Sequence, residues 1–182
     1  MKYVILTFTL MFSLTSFAQS VDENNCPVFT PEQQRILRIA FTTGSQFDAD
    51  LYAAVGTHIG HSLAAIIWRE AIVGRYIIRF NAGDGLLGSY GVGHVQLTTL
   101  FWMDGIDNTW KNRDELAPQY IVRLITDDYY AIHTSYRYLK QLAIRHGSIY
   151  TARMRYNGSG QRAKEYADDT GERVQILLRC GI

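Results

Sequence analysis

Hydrophobic and polar residues recur along most of this chain with the spacing of amphipathic helices. In the clearest stretch, Glu70 follows Ile67 and Ile66 by three and four residues and Leu63 by seven. These intervals place its carboxyl on the same helical stripe as the apolar side chains. Burial makes the charged form of a carboxyl costly, so a carboxyl on such a stripe can hold the proton that a general acid donates. The simpler interpretation is a surface residue at a helix end, beside Arg69.

Start and stop residues predict further helices. Thr30-Pro31-Glu32-Gln33 forms a capping box for a helix that Gly44 should end, and a second helix should begin near Asp48 or Asp50. Gly56 and Gly60 favour a break before the helix that carries Glu70. The remaining predicted helices cover about 94–103, 112–125, 127–145, 148–156 and 162–178. The single strand-like run is 76–80, within the glycine-rich stretch 74–93. The predicted fold is mainly α, a helical bundle with one small irregular or β lobe.

The first residues have the pattern of a secretory signal peptide. Lys2 is followed by an apolar run over 4–14, and Ser16-Phe17-Ala18 offers small residues at the recognition positions for cleavage. We therefore expect residues 1–18 to be removed and the protein to be periplasmic or secreted. Residues 19–182 are then expected to form one catalytic domain. The apolar run is too short for a membrane span, and no later segment approaches one.

Charge and cysteine content narrow the classes further. The net charge of +1 argues against tight, charge-driven binding to nucleic acid, which requires a strong basic excess. Cys26 and Cys180 lie near the two ends of the predicted domain, and in an oxidising compartment they most simply form a disulfide. Two free buried thiols are the alternative.

A glycine-rich loop follows the Glu70 helix and ends in Tyr90-Gly91-Val92-Gly93-His94-Val95-Gln96. Glycines allow a backbone to approach a ligand closely, and the Gln96 amide can bind sugar hydroxyls. The loop matches neither a P-loop nor a dinucleotide-binding fingerprint. His58 and His61 lie three residues apart and His94 lies on the loop, but nothing marks the third ligand and second shell of a zinc site, so we predict neither a metal nor another cofactor.

Three motifs in order resemble the soluble lytic transglycosylase and goose-type lysozyme family. They are Ile66-Ile67-Trp68-Arg69-Glu70-Ala71, Gly93-His94-Val95-Gln96 and Arg155-Tyr156-Asn157-Gly158, and the segment 166–174 resembles the family's following helix. The resemblance implies a lysozyme-like fold in which Glu70 is the catalytic acid. It also implies a saccharide cleft lined by Gln96, Tyr156 and Asn157, to which we add Gly93, His94 and Tyr90.

The chain departs from the family pattern at three places. Ala71 replaces the usual serine after the glutamate, and His94-Val95 replaces Leu-Met, which gives the cleft a group that titrates near neutral pH. The segment between Glu70 and Gln96 is also longer than is usual. These departures concern the fit of the substrate more than the type of reaction.

The resemblance implies cleavage of the bond between N-acetylmuramic acid and N-acetylglucosamine in peptidoglycan, with Glu70 acting as acid and then as base to form a 1,6-anhydro product. A hydrolytic muramidase is the alternative, with Asp84 as second carboxylate, although an aspartate between two glycines is more often an ordinary turn residue. A non-catalytic peptidoglycan-binding protein is the other alternative. The expected partners are glycan strands, in the setting of wall remodelling, a secretion or conjugation apparatus, or phage lysis.

Overall fold

The structure is a computed structural model that describes residues 20–79, 88–107 and 109–182. These residues form eight helices and one three-stranded antiparallel sheet, which confirms the predicted fold class of mainly α structure with a small β lobe. The helices are α1 (Pro31–Ser45), α2 (Ala49–Val55), α3 (Gly60–Ala71), α4 (Leu97–Met103), α5 (Trp110–Thr126), α6 (Asp128–His146), α7 (Ile149–Tyr156) and α8 (Gln161–Cys180).

Helix α3 lies at the centre of the molecule. Its residues from Leu63 to Trp68 are all buried, and α1 and α8 pack against it, as expected of a helix that is apolar around most of its circumference. A Cβ atom on Gly44 would lie 2.8 Å from the Cα of Gly60, so these two glycines let α1 and α3 approach closely. The predicted end of α1 at Gly44 is wrong because this glycine serves packing inside the helix, which continues to Ser45.

The capping box predicted for α1 is present. Thr30 and Gln33 form the reciprocal capping box of α1. Asp127 caps α6, and Gly147 ends it with φ of +61°, a backbone conformation that glycine adopts without steric cost. The break between α2 and α3 also lies where it was expected, with Gly56 at the end of one helix and Gly60 at the start of the next.

The sheet is small and lies next to the end of α3. Strands β1 (Ile78–Arg79), β2 (Ser89–Tyr90) and β3 (Val95–Gln96) pair in sequence order, with Ile78 opposite Tyr90 and Tyr90 opposite Val95. The predicted helix over 94–103 is therefore wrong in its first turn. His94 has a left-handed backbone with φ of +47°, and Val95 and Gln96 belong to β3, so α4 begins at Leu97.

The predicted disulfide is confirmed. Cys26, which precedes α1, is bonded to Cys180 at the end of α8, with 5.8 Å between the two Cα atoms. The bond joins segments separated by 154 residues. In the chain-entropy model, closing so long a loop stabilises the folded state by about 4–5 kcal/mol.

Two regions singled out in the sequence lie outside the described residues. They are the predicted signal peptide, residues 1–18, and Asp84 within 80–87. Among the described residues, no single helix is long and apolar enough to cross a membrane. The pair Ala49–Val55 and Gly60–Ala71 reaches that length together but is bent by 88°.

Candidate active site

Glu70 occupies the last turn of α3, where the buried apolar stripe reaches the small sheet. Its side chain is only 5% exposed, so the helical spacing correctly indicated a largely buried carboxyl. The neighbouring Arg69 points elsewhere: its guanidinium stacks over the ring of Tyr166 and its Nε lies 2.7 Å from Asp169 Oδ2. Glu70 is therefore not neutralised by the arginine beside it in the sequence.

The turn from Gly91 to His94 brings the glycine-rich loop against Glu70. The amide of Gly91 donates to the Ile77 carbonyl, and the amide of His94 donates to the Gly91 carbonyl. A Cβ atom at Gly93 would lie 1.8 Å from Ser135 Oγ, so only glycine fits where this turn meets α6. Close packing on α6 thus determines where the turn lies.

His94 contacts Glu70 directly. Its Nδ1 lies 3.2 Å from Glu70 Oε2, and its Nε2 lies 2.7 Å from the Tyr76 carbonyl oxygen. The His94 side chain is 7% exposed, so the two titratable groups meet where little water reaches them. Sequence reasoning placed both residues at the cleft but did not predict this contact.

Tyr156 supports the same turn from the opposite side. Its hydroxyl donates to the Gly93 carbonyl over 2.9 Å, and its ring packs against Tyr138 with 5.1 Å between centroids. Burial is the main reason why the pKa of Tyr156 is far above its usual range, so the phenol stays protonated and remains a donor. The described hydrogen bond of Tyr156 thus goes to the turn.

These elements surround a polar cleft of about 430 Å³. Glu70 and His94 form its inner wall, while Gln96, Tyr156 and Asn157 line it from β3 and α7. The predicted cleft residues from three distant segments therefore share one cavity. Tyr90 does not line it: this residue is buried in β2, 2% exposed, where it belongs to the apolar core. Gly93 contributes through its backbone, by accepting the hydrogen bond of Tyr156.

Sequence reasoning missed Tyr166 and the arginines of the cleft. Tyr166 is 1% exposed, and its hydroxyl makes no hydrogen bond of normal geometry with a described residue. Burial, and after it the negative charge of Glu70, raises the pKa of Tyr166 well above its usual range. The sequence indicated the helix that carries Tyr166, but its burial next to Glu70 depends on how α8 packs on α3.

Arg79, Arg155 and Arg162 line the cleft from β1, α7 and α8. All three are exposed, and none forms an ion pair with a carboxylate of the described residues. Within the part of the chain that the structure describes, Glu70 is the only carboxyl in the cleft wall. The cleft therefore combines one shielded acid with exposed positive charge, an arrangement suited to a polar ligand that carries anionic groups.

Within the same described ranges, no group of three or more histidine, cysteine, aspartate or glutamate side chains could hold a metal ion. Comparisons of the chain with protein-family models, with curated proteins and with solved structures find no match. The geometry of the cleft is therefore the basis on which its function is inferred.

Proposed function

We propose that this protein is a peptidoglycan lytic transglycosylase that cleaves the β-1,4 bond between N-acetylmuramic acid and N-acetylglucosamine. The observation that carries the proposal is the shielded carboxyl of Glu70 in the wall of a polar cleft. A carboxyl shielded from water can retain a proton for donation to a glycosidic oxygen. The motif resemblance in the sequence independently selects the same residue.

In the proposed reaction, Glu70 acts twice. The protonated carboxyl donates its proton to the bridging oxygen as the bond from that oxygen to muramoyl C1 breaks. The resulting carboxylate then accepts the proton of the muramoyl 6-hydroxyl, whose oxygen bonds to C1 and closes the 1,6-anhydro ring. Water is not consumed and Glu70 regains its proton, so one carboxyl is sufficient.

The rest of the cleft fits a glycan substrate. Gln96 and Asn157 present amides, which both donate to and accept from sugar hydroxyls and acetamido groups. Arg155 and Arg162 supply positive charge, and peptidoglycan carries carboxylates on its stem peptides. The charge of the cleft thus favours binding of strands that keep their peptides.

Digestion of purified peptidoglycan, followed by mass spectrometry of the products, tests the proposal. We expect muropeptides with anhydro ends, one water lighter than reducing ends. Reducing ends would overturn the proposal in favour of a hydrolase, for which Asp84 is the candidate second carboxylate. Binding of peptidoglycan without any product would indicate a non-catalytic binding protein.

The Glu70→Gln variant tests the role of the carboxyl. We expect activity to fall by about 10²–10⁴-fold, because the amide cannot donate or accept the transferred proton. Glu172→Gln is the matched control, since it makes the same chemical change at an exposed position of α8. Both variants should keep the wild-type circular dichroism spectrum and melting temperature. Retention of full activity by folded Glu70→Gln protein would remove Glu70 from the reaction.

A further inference from the structure

The two ring nitrogens of His94 have different partners, and this determines where its protons lie. Nε2 is 2.7 Å from the carbonyl oxygen of Tyr76, a group that only accepts hydrogen bonds. Nε2 must therefore carry a hydrogen. The other nitrogen, Nδ1, is left facing Glu70 Oε2 at 3.2 Å.

The contact between Nδ1 and Oε2 requires one more proton. Either Glu70 is protonated and donates to a neutral imidazole, or the imidazolium donates from Nδ1 to the Glu70 carboxylate. Without that proton, a lone pair would face a carboxylate oxygen, and two acceptors would oppose each other where the side chains are only 7% and 5% exposed. The geometry thus favours a pair that holds a single shared proton.

Other charged or titratable groups surround the pair. They are Arg69 on α3, Arg79 on β1, Tyr138 on α6, Arg155 and Tyr156 on α7, and Arg162 and Tyr166 on α8. Tyr156 and Tyr166 stay neutral because burial raises their pKa, and Arg69 is engaged by Asp169. The arginines of the cleft wall are exposed to solvent. His94 Nδ1 makes the described side-chain hydrogen-bond contact with Glu70 Oε2.

The backbone of His94 has the features of a residue kept in place for its side chain. Its φ of +47° lies in the left-handed region, which residues other than glycine adopt uncommonly, with asparagine, aspartate and histidine the most frequent exceptions. The turn is held by the hydrogen bond from the His94 amide to the Gly91 carbonyl and by the packing of Gly93 on α6. Such backbone strain is found where a side chain has to be aimed at a site.

We propose that His94 is a positioning residue for Glu70, and that the two side chains share one proton. The Tyr76 carbonyl keeps Nδ1 directed at the carboxyl, so the imidazole orients Glu70 and the shared proton lies between Nδ1 and Oε2. The kinetic part of this inference rests on the proposed function, while the pairing itself does not depend on it.

The pH dependence of kcat distinguishes this role from a purely structural one. A proton shared by two sites dissociates at a higher pH than a proton held by one of them alone. The alkaline limb of the profile, the pH range over which wild-type kcat falls as pH rises, therefore reports the pair. His94→Asn removes the second site, and asparagine tolerates the left-handed backbone. We expect the alkaline limb of kcat to move to lower pH by about one unit or more, so that the loss of activity grows as the pH rises. An equal loss at every pH, with the limb unmoved, overturns the inference.

A second measurement does not depend on catalysis. In wild-type protein, the ¹³C signal of the Glu70 carboxyl and the ¹⁵N signal of His94 Nδ1 should change together through the same pH steps. In Glu70→Gln the His94 signal should change in one step, and the signals of His133 should be the same in both proteins. Independent titration of the two wild-type groups overturns the pairing. Coupled titration in a protein that cleaves no glycan leaves the pairing standing and rejects the proposed function.

Discussion

Two cavities of similar size differ in almost every chemical respect. The cleft at Glu70 encloses about 430 Å³, whereas a groove on α1 and α6 encloses about 500 Å³. This α1–α6 groove is lined by Pro31, Gln34, Arg35, Arg38, Ile39, Thr42, Thr43, Gln46 and Tyr129. The buried titratable pair lies in the smaller of the two cavities. Volume alone would therefore select the cavity without the pair.

The pairing of the arginines differs in part between the two cavities. In the groove, Arg35 is compensated by Glu32, at 2.5 Å, and by Asp128, whereas Arg38 has no carboxylate partner among the described residues. In the cleft, neither Arg155 nor Arg162 has a carboxylate partner among the described residues. Charge that is left uncompensated beside a shielded acid is available to a ligand, and charge that is already paired is not.

The largest stability effect should come from the turn that separates the cleft from α6. In Gly93→Ala the new methyl would meet Ser135 Oγ at 1.8 Å, and we expect the free energy of unfolding to fall by about 3 kcal/mol. Activity should also be lost, because the turn carries His94. Urea denaturation and peptidoglycan digestion measure the two effects.

Gly171→Ala is the control for that substitution. Gly171 lies within α8, and its added methyl would meet only the end of the Arg153 side chain, at 3.2 Å. Alanine favours a helix interior over glycine by up to about 1 kcal/mol, so this variant should be as stable as wild type or more so. Equal stability of the two variants would show that the turn can move away from Ser135.

The helices around the cleft were largely predictable because their signals are local. The spacing of Leu63, Ile66, Ile67 and Glu70 is enough to define one face of α3, and the caps of α1 and α6 are read from a few adjacent residues. For the same reason the sequence placed Glu70 on a buried stripe. Periodicity and capping involve residues within one or two turns of each other.

What the sequence did not predict depends on contacts between distant segments. The pairing of His94 with Glu70 needs the left-handed turn and the Tyr76 carbonyl, neither of which has a local signature. Tyr90, next to a glycine, suggested a cleft residue, but its two-residue strand is too short for an alternating pattern to reveal its burial. Tyr166 reaches Glu70 only because α8 packs against α3.

An intermediate effect is expected from the cleft arginines. In the double variant Arg155→Gln and Arg162→Gln, binding to purified peptidoglycan should weaken about tenfold at low salt, because the cleft loses two positive charges that attract the strand. The difference from wild type should shrink as salt is added, since screening weakens the contribution of exposed charges. Sedimentation of bound protein with sacculi measures it, best in a Glu70→Gln background that leaves the polymer intact.

The matched control removes the same charge from the groove. Arg35→Gln with Arg38→Gln changes the net charge equally, but Arg35 is already paired with Glu32 and Asp128. Binding to peptidoglycan should stay within about twofold of wild type, because Arg35 is already paired and neither arginine lines the cleft. An equal loss in both double variants would mean that net charge, and not the cleft, determines binding.

The smallest effect concerns an ordinary ion pair outside the cleft, between Asp48 and Lys140, which joins α2 to α6. The pKa of Asp48 is lowered by the hydrogen bond from Lys140 and, after it, by the hydrogen bond from the Leu51 amide. The hydrogen bond to Asp48 in turn raises the pKa of Lys140. The aspartate contribution to stability is therefore fully present above about pH 4 and is lost as pH falls through the lowered value. The lysine contribution is fully present below about pH 10.4 and is lost as pH rises through the raised value.

Lys140→Met should lower the free energy of unfolding by no more than about 1 kcal/mol at pH 7, since both side chains remain partly exposed. The difference from wild type should be smaller in urea titrations at a pH well below about 4, because protonation of Asp48 weakens the pair. Activity on peptidoglycan should not change. A constant difference at both pH values would mean that Lys140 stabilises through its hydrocarbon chain and not its charge. The Glu70 and His94 pair should behave in the opposite way, with substitution altering the pH profile of catalysis far more than stability, because in the proposed reaction its proton is transferred to the glycosidic oxygen.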